Sequence, residues 1–97
     1  MGISLSTHVL DTGTGRPAED VRVELYRDER PVGDKRTDGD GRIAEFAADL
    51  APGIYRVVFH PPSPFFRRVQ LDLELEAGHY HVPLLISAYG CASYRGS

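Results

Sequence analysis

Alternation of apolar and polar residues marks most of this chain as strand. In the opening segment Ile3, Leu5, Thr7 and Val9 fall on one face, and Ser4, Ser6, His8 and Leu10 on the other. That period of two is the mark of a half-buried strand. VRVELYR (21–27) repeats it more cleanly, with Val21, Val23 and Leu25 inward and Arg22, Glu24 and Tyr26 outward. IYRVVFH (54–60) reads as another strand, and Val69, Leu71, Leu73 and Leu75 set the alternation of a half-buried antiparallel one. HYHVPLLIS (79–87) follows, then a turn near Gly90 and a last short strand toward Tyr94.

Turn residues separate these runs. DTGTGRPAED supplies a loop, DERP a hairpin-like connection to a short strand in VGDKRT, and TDGDGR two Asp-Gly pairs. PPSP (61–64) must be loop, because consecutive prolines remove ladder donors. IAEFAADLAPG admits two readings: a short helix closed by Pro52 and Gly53, or a strand from Arg42 to Phe46 followed by a loop. Seven or eight short strands with no long helix predict an all-β sandwich, a single domain over residues 1–97.

Composition narrows the function classes. The formal charge of −3 and the scattered basic residues offer nothing to nucleic acid. The apolar runs are far shorter than a membrane span, and no basic region followed by a hydrophobic segment opens the chain. The single Cys91 excludes an intrachain disulfide and argues against a cysteine-based metal site. These features predict a soluble protein of a reducing compartment. Association would help so small a chain bury apolar surface.

Of the four histidines, two stand together in the last long strand. His79, His81 and Pro83 share a face, with Tyr80, Val82 and Leu84 opposite. Pro83 cannot donate to a ladder, so the strand should be bonded irregularly, or only on one side, there. The pair could begin a metal site, but neither a carboxylate nor a third histidine has a clear claim beside it, and no metal is expected. His8 and Arg42, taken singly, suit a solvated strand face and a solvated turn. The tail ASYRGS ends in polar groups that could cover a site, and Cys91 reads as a small, semi-buried residue. TDGDGR lacks the ligand series and closing Glu of a calcium loop. The residues alone reach a small β-sandwich with a candidate histidine site.

LSTHVLDTGTGRPAEDVRVELYR, TDGDGR, GIYRVVF, HYHVPLLIS and the terminal YRGS, in this order, resemble the 5-hydroxyisourate hydrolases, the transthyretin-like enzymes of urate breakdown. The resemblance implies a transthyretin-like sandwich of two antiparallel four-stranded sheets. It also implies a cytoplasmic homotetramer, a dimer of dimers, with sites in the channel between dimers. It implies hydrolysis of 5-hydroxyisourate without a cofactor. Carried over residue by residue, it places catalysis on His8, Arg42 and His81, and substrate contacts on these with Tyr94 and Ser97. Transthyretin, a hormone carrier, lacks the matching histidines, so their presence favours an enzyme over a non-catalytic carrier. Two departures stand out. The connection after GIYRVVF is only HPPSPFFRR, too short for the family's usual short helix, and the tail reads SAYGCASYRGS where SPYGYSTYRGS is usual.

Overall fold

Each alternating segment is a strand in the computed structural model, which describes residues 2–96. In chain order the strands are β1 (Ile3–Asp11), β2 (Arg16–Pro17), β3 (Arg22–Arg27), β4 (Arg30–Arg36), β5 (Arg42–Leu50), β6 (Gly53–His60), β7 (Val69–Leu75), β8 (His79–Ile86) and β9 (Cys91–Ser93). The described residues form no helix, and none of them makes an apolar helix long enough to cross a membrane. The connection after β6 is irregular chain. There the Ser63 hydroxyl donates to the Ala88 carbonyl (2.9 Å) and accepts the Phe66 N–H (2.9 Å), tying this loop to the β8–β9 turn.

The strands make two sheets. β4-β3-β6-β7 is antiparallel throughout. The other sheet runs β2-β1-β8-β9, with β5 also paired to β1, so it has five strands rather than the four expected. β2 and β5 share one edge of β1, β5 meeting Ile3 to His8 and β2 meeting Leu10 and Asp11. The expectation of purely antiparallel pairing also needs one correction, since β1 and β8 are parallel. A parallel neighbour requires a long crossover, and here that crossover contains the whole second sheet.

The core lies between the sheets, where Val9, Val23, Leu25, Phe59 and Leu84 are 0% exposed. Such residues supply the main driving force, on the order of 2 kcal/mol for each buried Val, Leu or Phe side chain. The Ala-rich segment after the TDGDGR turn is strand for longer than either reading had it, reaching Leu50. Its apolar residues Ile43, Phe46, Ala47 and Leu50 have helical spacing. The register against β1 shifts twice, between Ile3 and Leu5 and between Leu5 and Thr7. Those bulges absorb the extra residues and let Ile43 and Phe46, three apart, both reach the core.

Candidate active site

The face of β1 turned away from the core carries Ser4, Ser6, His8 and Leu10, and the matching face of β8 carries His79, His81, Pro83 and Leu85. Parallel register sets Ser4 beside His79, Ser6 beside His81, His8 beside Pro83 and Leu10 beside Leu85. On the other edge of β1, Arg42 pairs with His8. Three residues widely separated in sequence, His8, Arg42 and His81, therefore occupy one sheet face.

The TDGDGR turn fixes Arg42. The Asp38 carboxylate accepts the N–H groups of Asp40 (2.9 Å) and Arg42 (2.9 Å), and those bonds hold its pKa below the usual carboxylate value. Gly41 has φ +73°, and a Cβ there would come within 2.5 Å of the Val9 carbonyl oxygen, so the turn requires glycine. The Val9 N–H bonds the Gly41 carbonyl at 2.7 Å, locking the turn onto β1 next to His8. The exposed Arg42 guanidinium makes no ion pair with a described residue, which leaves its fork available to an oxygen-rich ligand.

Hydrogen bonding distinguishes the histidines. His8 Nε2 lies 2.9 Å from the Asp40 carbonyl oxygen. A carbonyl only accepts, so Nε2 carries the proton and Nδ1 is the basic position of the neutral ring. His81, half-buried, has Nδ1 2.8 Å from Ser6 Oγ. Its Nε2 makes no hydrogen bond to a described residue. Burial, foremost, and then the neighbouring His8, His79 and Arg42 push the His81 pKa below its ordinary value. His81 thus stays neutral, as a base must, into mildly acid solution. The tail closes against it: the Gly96 N–H donates to the His81 carbonyl at 2.6 Å, and a Cβ on Gly96 would meet His81 Cδ2 at 2.6 Å.

β8 runs unbroken through Pro83, which is paired there with β1 alone, the one-sided bonding expected of a proline. The β8–β9 ladder covers Leu84 to Ile86 and pairing resumes only at His81 with Gly96, while the Ser93 hydroxyl donates to the Pro83 carbonyl at 2.8 Å. Tyr94 does not join the histidines within the protomer. It is 57% exposed and lines a cavity of about 310 Å³ with Leu71, Leu73, Tyr80 and Arg95, at the opening between the sheets. Ser97 lies outside the described residues. Cys91 is exposed and unpaired rather than semi-buried. Among the described residues no three His, Cys, Asp or Glu side chains gather into a metal-ligating set.

Sequence reasoning overlooked Ser4, Ser6, Asp38 and Gly96 as parts of the site. Their signal was weak: hydroxyls on the face of His8, and an Asp four residues before the arginine it positions. A larger surface hollow, about 480 Å³, lies on the second sheet, lined in part by Glu24, Tyr26, Arg56 and Asp72. Arg56 there bonds Asp72 at 3.1 Å and Glu24 accepts from Tyr26 and His60, and no histidine is among its lining residues. Chemistry, not cavity size, therefore locates the candidate site on the histidine face.

Known proteins resemble this chain over nearly its whole length. The HIUase/Transthyretin family profile matches residues 5–96. A curated relative from Rhizobium meliloti (strain 1021), 5-hydroxyisourate hydrolase 2, is 40% identical over 117 positions, covering 96% of this chain and 95% of its own. That alignment is longer than the chain's 97 residues, so the relative carries insertions that this chain lacks. The solved structure of Klebsiella pneumoniae 5-hydroxyisourate hydrolase superposes with a TM-score of 0.91 at 38% identity, covering 100% of both chains. Sea bream transthyretin shares the fold, with a TM-score of 0.84 at 22% identity over 95% of this chain and 93% of its own. The chain belongs to the HIUase/Transthyretin family.

Proposed function

We propose that this protein hydrolyses 5-hydroxyisourate to 2-oxo-4-hydroxy-4-carboxy-5-ureidoimidazoline, as a cytoplasmic homotetramer that needs no cofactor. The observation that carries the reading is the meeting of His8, Arg42 and His81 on one sheet face, in a chain similar over nearly its whole length to proteins named for this activity.

The reaction is attack of water on a cyclic amide-type carbonyl. It requires a base near neutral pKa and a donor for the developing oxyanion. His8 offers a bare Nδ1, and His81 is held neutral by its surroundings. Together they orient and deprotonate the water. Arg42, exposed beside His8 on a rigid turn, holds the flat substrate by its oxygens and stabilises the oxyanion. Leu10 and Leu85, half-buried on the same face, give a second dimer an apolar surface to pack on, with the site in the channel so formed. Tyr94 and Ser97 close and shape the pocket in the assembled protein.

The test is the decay of freshly generated 5-hydroxyisourate against its spontaneous rate. Acceleration by the protein, lost on replacing both His8 and His81 by alanine, is the expected result. No acceleration, or full acceleration by the double variant, defeats the reading. Binding without acceleration points to a non-catalytic carrier instead.

A further inference from the structure

Catalysis by His81 leaves unexplained the row of hydrogen bonds behind it. Ser6 is only 7% exposed, and its hydroxyl sits between two imidazoles, 2.8 Å from His81 Nδ1 and 2.9 Å from His79 Nε2. The other nitrogen of His79, Nδ1, is 2.7 Å from Ser4 Oγ. There the row reaches solvent, since the His79 side is exposed. Ser4, His79, Ser6 and His81 thus form one unbroken line across the β1–β8 seam.

Counting protons limits what this line can do. A hydroxyl has one hydrogen, so Ser6 donates to one imidazole and accepts from the other. With both rings neutral there are two settings. In the first, His81 Nδ1–H donates to Ser6, Ser6 donates to His79 Nε2, and His79 Nδ1–H donates to Ser4. His81 Nε2 then holds a lone pair and is a base. In the second, every bond is reversed and His81 Nε2 carries the hydrogen, as an acid must.

We propose that Ser6, His79 and Ser4 form a proton relay that reverses the tautomer of His81. That one ring then takes a proton from water and later gives one to the departing nitrogen, while remaining neutral. This inference rests on the hydrolase reading above. As the water oxygen bonds to the carbonyl carbon, its proton passes to His81 Nε2. The Nδ1 proton moves to Ser6, the Ser6 proton to His79 Nε2, and one proton leaves through Ser4 to solvent. When the ring C–N bond breaks, the Nε2 proton goes to the leaving nitrogen and the row runs back, drawing one proton from solvent. The relay consumes none overall, and the carboxylic acid produced ionises in water.

The surroundings favour a neutral route. His81 is faced by His8 from β1, Arg42 beyond it on β5, His79 on its own strand and the Gly96 backbone of the tail. The Arg42 cation and partial burial both oppose an imidazolium there. A hydroxyl that merely positioned His81 would need only its bond to Nδ1. The continuation through His79 to the exposed rim is what a relay requires.

The experiment compares kcat and KM for the wild type, Ser6→Ala, Ser6→Thr and His79→Phe, with rates also taken in H2O–D2O mixtures. Expected are kcat losses on the order of 10- to 100-fold for Ser6→Ala and His79→Phe with KM little changed. Ser6→Thr should restore turnover, and the wild type's curved dependence on deuterium fraction should become linear in Ser6→Ala. Wild-type kcat in either Ser6→Ala or His79→Phe overturns the relay while leaving the hydrolase reading intact. Should Ser6→Ala fail to fold, His79→Phe, at an exposed position, carries the test alone. If the wild type itself gives no acceleration, the functional reading has failed, and nitrogen NMR of the imidazoles judges the relay. Tautomers of His79 and His81 that change together, and uncouple in Ser6→Ala, support it; tautomers independent in the wild type overturn it.

Discussion

At the scale of single residues, the site depends on how hydrogen bonds and burial set each imidazole. His81 resists protonation in the folded protein, whereas in the unfolded chain it titrates near its ordinary value, about 6.5. The unfolded state therefore binds more protons in mildly acid solution, so this group weakens the fold as pH drops below about 6.5, and the loss levels off beneath the folded pKa. The depressed carboxylates Glu24, Asp34 and Asp38 act with the same sign, but only toward pH 4 and below. Urea unfolding between pH 7.5 and 5.5 should show declining stability, with a shallower slope in His81→Gln; an unchanged slope would contradict this account. His8, Arg42 and His81 could be named as candidates from their motifs, because imidazole and guanidinium groups have a chemistry of their own to suggest. Ser6 and Gly96 were not, because a hydroxyl between two rings and a glycine against an imidazole have meaning only once the register is known.

At the scale of elements, strand alternation located nearly every β-segment, since one-sided burial forces a period of two. It failed at β5, where two bulges allow a helix-like spacing to pack as strand. The β3–β4 hairpin was visible in DERP, but not its strain. Asp28 and Glu29 have φ of 50° and 65°, the left-handed pair of a two-residue turn that favours Asn-Gly. Replacing Glu29 by glycine removes that strain at some expense in unfolded-state entropy. The variant should gain about 0.5–1 kcal/mol in denaturant unfolding. A loss of stability would show that the Glu29 side chain has a role that its exposure hides.

For the whole molecule, the outward face of the five-stranded sheet combines the polar site with half-buried Leu10 and Leu85, side by side in register. If that face meets a second dimer, Leu85→Glu should split the assembly in sedimentation velocity and abolish turnover without changing the far-UV spectrum. A variant that remains tetrameric would place the contact elsewhere. Composition could suggest association but could not say which face takes part, because apolar residues line both sides of β1 and β8. The seam between those two strands also governs how the chain comes into being. Its hydrogen bonds join residues 75 apart, so contact order is high and closure slow. On the ribosome, β1 waits with an unsatisfied edge while the other sheet is still being made, exposed to mispairing until β8 arrives. Chemistry is thus the last property the nascent chain acquires, and a truncated product that retains most of the core would have no route to it.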